Sequence, residues 1–120
     1  MTLGEKQEVF LKNAAKLILW AFDNGFHVRG GELLRTREQQ EIYLKTGRSK
    51  TMNSRHLDKL AVDLNLIKDG RLSNDSKDYQ PLGEYWVSLN PDNVWGSDWN
   101  RNHSFLDEWF LDPYHFEMRP

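Results

Sequence analysis

The run Leu60-Ala61-Val62-Asp63-Leu64-Asn65-Leu66-Ile67 limits what this chain can fold into more than any other stretch. Leu60, Val62, Leu64 and Leu66 recur at every second position, the period of a strand with one covered face. Ala61, Asp63 and Asn65 fall on the opposite face. Lys68-Asp69-Gly70 follows and reads as a hairpin turn into Arg71-Leu72. The segment therefore predicts a half-buried strand in an antiparallel sheet, with an apolar layer packed against one side. It also places a carboxylate in mid-strand, where aspartate is depleted. A buried carboxylate without a partner is costly, so Asp63 needs a strong one. A metal ion is one candidate and a salt bridge to arginine is another.

The flanking segments supply the layers. Thr2-Leu3-Gly4-Glu5 reads as a capping box. Behind it, Phe10, Ala14, Leu17 and Ala21, with Leu11, Ile18 and Phe22, form a helical stripe that ends at Asn24-Gly25. Phe26 to Arg35 is expected to be extended, with a bulge at Gly30-Gly31. Thr36-Arg37-Glu38-Gln39 is a second capping box, opening a short helix through Tyr43 that Gly47 terminates. Residues 47–55 are polar and basic and read as a loop. Pro81 suits the first turn of a third helix reaching about Leu89. Asn90 to Trp99 reads as a Trp-rich loop, and Tyr114 to Met118 as a closing strand. With 120 residues and no repeat or linker, the expectation is one domain over residues 1–120. Its class is α+β: a small antiparallel sheet with helices packed on one face and a cleft on the other.

Composition removes several functions. A net charge of −2 does not suggest a nucleic-acid binder. The absence of cysteine excludes disulfides, cysteine-ligated zinc and a thiol nucleophile. Met1 to Glu8 has no basic region followed by an apolar stretch, so no signal peptide is expected and synthesis is placed in the cytoplasm. The longest apolar run, Leu17 to Phe22, is too short to span a bilayer. A monomer without membrane insertion is expected.

The metal reading of Asp63 gains support from two histidines. His56 lies seven residues before it, and His115 sits in the closing strand. Together they offer two imidazole nitrogens and one carboxylate oxygen, a set suited to a single catalytic zinc that leaves its fourth position to water. Asp112, three residues before His115, is the candidate base, and Pro113 keeps it out of the helical conformation. In the closing strand, His115 and Glu117 oppose Phe116 and Met118. If the two strands are neighbours, Asp63 and His115 share one sheet face. Glu117 is then either a partner for a ligand or a solvated strand residue. His27 and His103 read as ordinary strand and loop residues. Trp86, Trp95, Trp99, Trp109 and Phe110 read as core and loop packing, with one or two at the cleft.

These residues carry a resemblance. Ser54, His56, Ala61 and Asp63 match the pattern S-x-H-x-x-G-x-A-x-D of the M15 zinc peptidases. That family includes D-alanyl-D-alanine carboxypeptidases and dipeptidases and phage L-alanyl-D-glutamate endopeptidases. Asp112-Pro113-Tyr114-His115, followed by Phe116-Glu117, resembles the family's second signature. Leu34 to Gln40 resembles its arginine-bearing segment, and Trp95-Gly96-Ser97-Asp98-Trp99 a Trp-Gly-rich loop of the phage-like branch. The similarity runs in family order from about Phe26 to Met118, with one departure: Lys59 stands where the pattern has glycine. The resemblance implies zinc held by His56, Asp63 and His115, with Asp112 as base and Arg35 stabilising the oxyanion. Arg37 is the alternative arginine, or a substrate contact, and Ser54 either touches substrate or orients the His56 loop. The substrate implied is the peptide stem of bacterial peptidoglycan, cut between L-alanine and D-glutamate by an endolysin that acts on the wall after release. D,D-carboxypeptidase or dipeptidase action is the alternative. A non-catalytic zinc module that binds cell-wall peptide or a protein is a further one, which the presence of Asp112 and Arg35 opposes.

Overall fold

The first helix, α1 (Leu3–Asp23), starts where its cap is complete: the Thr2 side chain accepts from the Glu5 N–H and Glu5 reaches back to Thr2. It stops at Asn24, and Gly25 takes the positive φ of 82° that ends the helix without a Cβ clash. The computed structural model describes residues 1–32, 36–47, 49, 54–108 and 110–120. Strand β1 (His27–Gly30) follows, then α2 (Arg37–Lys45), whose first turn is capped by the Thr36 hydroxyl on the Gln39 N–H. A 3-10 turn (Arg55–Asp58) leads into β2 (Ala61–Lys68), the alternating strand. Asp69 and Gly70, at φ 53° and 76°, turn it into the short β3 (Arg71–Leu72). Two positive φ values in a two-residue loop suit the right-handed twist of the paired strands.

The chain continues through α3 (Ser76–Leu89), β4 (Asn93–Trp95) and β5 (His115–Met118). The sheet is antiparallel in the order β1-β2-β5-β4, with β3 paired to β2. The expected α+β class holds. Val62, Leu64 and Leu66 are buried with Phe10 and Leu17 of α1, Tyr79, Leu82 and Trp86 of α3, and Phe116 of β5. On the opposite face of β2, Asp63 and Asn65 are half-buried and Ala61 is buried.

Two elements differ from expectation. Helix α3 begins at Ser76, so Pro81 sits inside it and not in its first turn. Proline there removes one backbone hydrogen bond, but tertiary contacts hold the earlier turn. Asp75 caps the Lys77 N–H at 3.0 Å, the Ser76 and Ser97 hydroxyls meet at 2.7 Å, and Tyr79 is fully buried. The Trp-rich loop contains a strand, β4, which packs against α3 at Gly83; a Cβ on Gly83 would run into the Trp95 ring. The bulge expected near Gly30-Gly31 is present. Gly31 donates to the Asp63 carbonyl at 2.8 Å, while the Asp63 N–H donates to Glu32 at 2.7 Å. Two residues thus oppose one, the pattern that bends a strand and redirects its side chains. Gly31 is required there, because a Cβ would lie 2.9 Å from the Asp63 Cβ.

Two stability predictions follow from this packing. The Tyr79 hydroxyl accepts from the Leu66 N–H and donates to the Ser73 carbonyl, each at 2.8 Å. Burial pushes its pKa up to about 12. Tyr79→Phe strands a buried N–H and should cost about 1–3 kcal/mol at neutral pH by urea unfolding. Because the folded phenol holds its proton above the unfolded value near 10, this stabilisation is complete below pH 10 and fades as pH rises towards 12. The gap between the two proteins should therefore narrow over that range; a constant gap would show that the phenol is not the linked group. Lys59, directly after the 3-10 turn, sits at φ 58° and ψ 34°, the left-handed region. Glycine, the residue of the family pattern, adopts it without a Cβ penalty. Lys59→Gly should raise the unfolding free energy by about 1 kcal/mol, and a loss of stability in the same assay would contradict that account.

Candidate metal centre and cleft

His56 reaches its position from the 3-10 turn. Ser54 caps that turn, its hydroxyl accepting from the His56 N–H at 3.3 Å. The turn is fastened by Leu60 N–H to Arg55 carbonyl at 2.9 Å, by an Arg55–Asp58 ion pair at 2.8 Å, and by Gln7 of α1, which donates to the Asp58 carbonyl. The His56 ring is completely buried. Asp63 and His115 are direct cross-strand partners in the β2–β5 ladder, which puts their side chains on one face.

The three groups converge. His56 Nε2 lies 3.0 Å from Asp63 Oδ1, His115 Nδ1 lies 3.2 Å from His56 Nε2, and His115 Nδ1 lies 3.5 Å from Asp63 Oδ1. Ligands about 2.0–2.2 Å from a tetrahedral ion stand about 3.3–3.6 Å apart, so this triangle is nearly the right size. Two imidazole nitrogens this close cannot both present lone pairs without a proton or cation between them. Among the described residues, this is the group of ionisable side chains able to hold a metal ion. The donor set fits.

Glu117, two residues along β5, accepts from or shares a proton with His115 Nε2 at 2.8 Å. That contact resolves the two readings of Glu117 in favour of a partner for His115. Nε2 is thereby occupied by Glu117, and Nδ1 is the ring atom turned towards Asp63 and His56. The electrostatics are those of a cation site. Burial alone would raise the Asp63 pKa, yet hydrogen bonds to His115 and His56 hold the carboxyl far below its ordinary range. Burial works against charge on His115, but the facing Asp63 and Glu117 carboxylates outweigh it and push its pKa up to about 10. Trp99 closes one side, its ring 5.5 Å from that of His115 and its indole N–H donating to the Phe110 carbonyl.

Asp63 opens onto a cleft of about 570 Å³. Asn65 and Asp112 line the same cleft, with Tyr43 of α2, Phe110 and Tyr114. Asp112 is half-buried and tied to the metal face by its backbone: its N–H donates to Gly96, and its carbonyl accepts from His115 at 3.1 Å. Gly96 permits this approach, since a Cβ there would strike the Asp112 carbonyl and lie 2.9 Å from the His115 Cβ.

The structure thus brings His56, Asp63 and His115 together and sets Asp112 in the adjoining cleft. Ser54 lies under the His56 backbone, and Arg37 is exposed at the start of α2. Arg35 and Trp109 lie outside the described residues. His27 and His103 are exposed and apart from the cluster. Asn65 had no role assigned from sequence, although the two-residue period already placed it beside Asp63. Among the described residues, no helix is long and apolar enough to cross a membrane.

Comparison with known proteins identifies relatives of this chain. An L-alanyl-D-glutamate peptidase of Listeria phage A118 is 35% identical over 91 residues, covering 72% of this chain and 31% of the relative. The chain thus spans about a third of that protein's length. The fold is shared with the crystal structure of the Serratia marcescens L-Ala D-Glu endopeptidase ChiX, at a TM-score of 0.58 and 23% identity, over 78% of this chain and 68% of that one. The family described as phage L-alanyl-D-glutamate peptidase matches residues 8–119, nearly the whole length, and the chain belongs to that family.

Proposed function

We propose that this chain is a zinc-dependent endopeptidase that cuts the peptide stem of bacterial peptidoglycan between L-alanine and D-glutamate, acting on the wall as an endolysin. The observation that carries the reading is the His56–Asp63–His115 triangle at the edge of a cleft that also presents Asp112. Family membership and the named activity of the relatives support the bond. Zinc held by the three side chains would supply Lewis acidity at the end of the cleft.

The chain's own residues would do the rest. Asp112 takes a proton from the attacking water and returns it to the leaving amine. Its half-buried place in the cleft, with its backbone anchored to Gly96 and His115, holds the carboxylate steady for both transfers. Ser54 fixes the turn that carries His56. Glu117 keeps His115 in the tautomer that offers Nδ1. Arg35, taken from the family pattern, is assigned the developing oxyanion, with Arg37 as the alternative.

The metal assignment predicts one zinc per chain by elemental analysis, and loss of zinc in His56→Ala. Glu117→Ala should keep the fold but weaken zinc binding about 10–100-fold in a chelator competition; unchanged affinity would leave Glu117 a packing residue only. Mass spectrometry of digested peptidoglycan tests the reaction. New N-terminal D-glutamate is expected, abolished by chelator and restored by zinc. Asp112→Ala should keep zinc and lose about 10²–10⁴-fold in turnover. Release of D-alanine or D-alanyl-D-alanine without new glutamate ends would assign D,D cleavage. No new termini from a zinc-loaded protein would assign a binding module.

A further inference from the structure

We propose that Asn65 is a substrate-positioning residue: its side-chain amide donates to the free α-carboxylate of the D-glutamyl residue on the leaving side of the scissile bond, with Arg29 as the rim cation. This rests on the endopeptidase reading above. Four observations carry it.

Asn65 follows Asp63 by two residues in β2 and lines the same cleft. Strand residues two apart lie about 6.5–7 Å from each other on one face, and the scissile carbonyl carbon and the free carboxylate carbon of the next residue are three bonds, about 3–4 Å, apart, so a carbonyl held beside Asp63 leaves that carboxylate within reach of the Asn65 amide. Second, Asn65 is half-buried, and among the described residues its amide has no hydrogen-bond partner. Its neighbour on the face, Asp63, is engaged through Oδ1 by His56 and His115. A partly desolvated amide that faces a cleft and has no protein partner is suited to a ligand.

Third, the cleft has a direction. Asp112, the group proposed to protonate the leaving amine, lines it together with Asn65, whereas His56 and His115 are buried and do not line it. The leaving half of the substrate therefore lies along Asn65. In a stem peptide, the D-glutamyl residue is chained onward through its side-chain carboxyl, so its α-carboxylate stays free beside the scissile nitrogen. Fourth, Arg29 of β1 stands directly opposite Asn65 in the ladder, and directly paired residues share a face. Arg29 is exposed. A neutral amide donor inside the cleft and a guanidinium at its rim form a carboxylate-recognition pair.

The test uses two synthetic stem peptides that differ only in the glutamyl α-group, one a carboxylate and the other a carboxamide. The readout is kcat/KM on each, with zinc content measured for every protein. Asn65→Asp places a like charge against the carboxylate and should move the carboxylate-to-carboxamide ratio at least about 10-fold towards the carboxamide, zinc retained. Arg29→Gln should move the ratio in the same direction by a smaller factor. Asn65→Ala should lower kcat/KM on the carboxylate peptide about 10-fold, mainly through KM. A ratio within twofold of wild type in Asn65→Asp overturns the proposal while leaving the endopeptidase reading intact. If Asn65→Asp loses zinc, Asn65→Ala decides: wild-type kcat/KM on the carboxylate peptide overturns it. If the zinc-loaded wild-type protein cleaves neither peptide, the endopeptidase reading fails, and this assignment fails with it.

Discussion

A carboxylate taken largely out of water must be met by positive charge or by donors, and Asp63 is met by two imidazoles delivered from different parts of the chain. Most of the architecture depends on that meeting. Asp63 and His115 face each other because β2 and β5 pair in one register. A slip of one residue would turn His115 into the apolar layer and Phe116 out to the cleft. The same register buries Val62 opposite Phe116, so the core and the cluster enforce each other. Three glycines give the backbone the close approaches it needs: Gly31 against Asp63, Gly96 against Asp112 and His115, and Gly83 against Trp95.

What could be read from sequence was what neighbours along the chain determine. The Thr2 and Thr36 caps, the Asp69-Gly70 turn and the alternation of β2 are local devices, and each stands where its residues indicate. The convergence of Asp63 and His115 was legible because both strands keep a period of two and need only be neighbours. The start of α3 was not legible from its proline. Asp75 caps it, and the burial of Tyr79 and Trp86 and the contact of Ser76 with Ser97, which depend on residues outside the segment, outweigh one missing backbone bond. Strand β4 was hidden for the same reason. Asn93-Val94-Trp95 is short, and its pairing with β5 and its packing on Gly83 are decided by distant residues.

Lys59 shows where a pattern and its physical cause come apart. The family pattern has glycine at that place, and the backbone there is left-handed in this chain too. The conformation is kept and the residue is not. The turn can hold a lysine because Leu60 is bonded back to Arg55, and because Gln7 and the Arg55–Asp58 pair fasten it from either side. Strain at one residue is thus carried by the surrounding contacts, and the His56 ring still reaches its place beside Asp63.

The uneven exposure of the cluster assigns its sides. The His56 side chain is fully buried and that of His115 is 7% exposed, while that of Asp63 is 21% exposed. Glu117 and Trp99 close the flank behind His115, and the capped turn closes the flank behind His56. Of the three groups, Asp63 is the one that lines the cleft among the described residues, and Asp112 and Asn65 stand along it. An ion held by His56, Asp63 and His115 would therefore be reached from the cleft on the Asp63 side, where it would supply Lewis acidity. The proposed base and the proposed carboxylate contact lie on that same side, so binding and proton transfer share one approach. The apolar layer behind β2 keeps water from the back of the cluster and leaves the chemistry to the front.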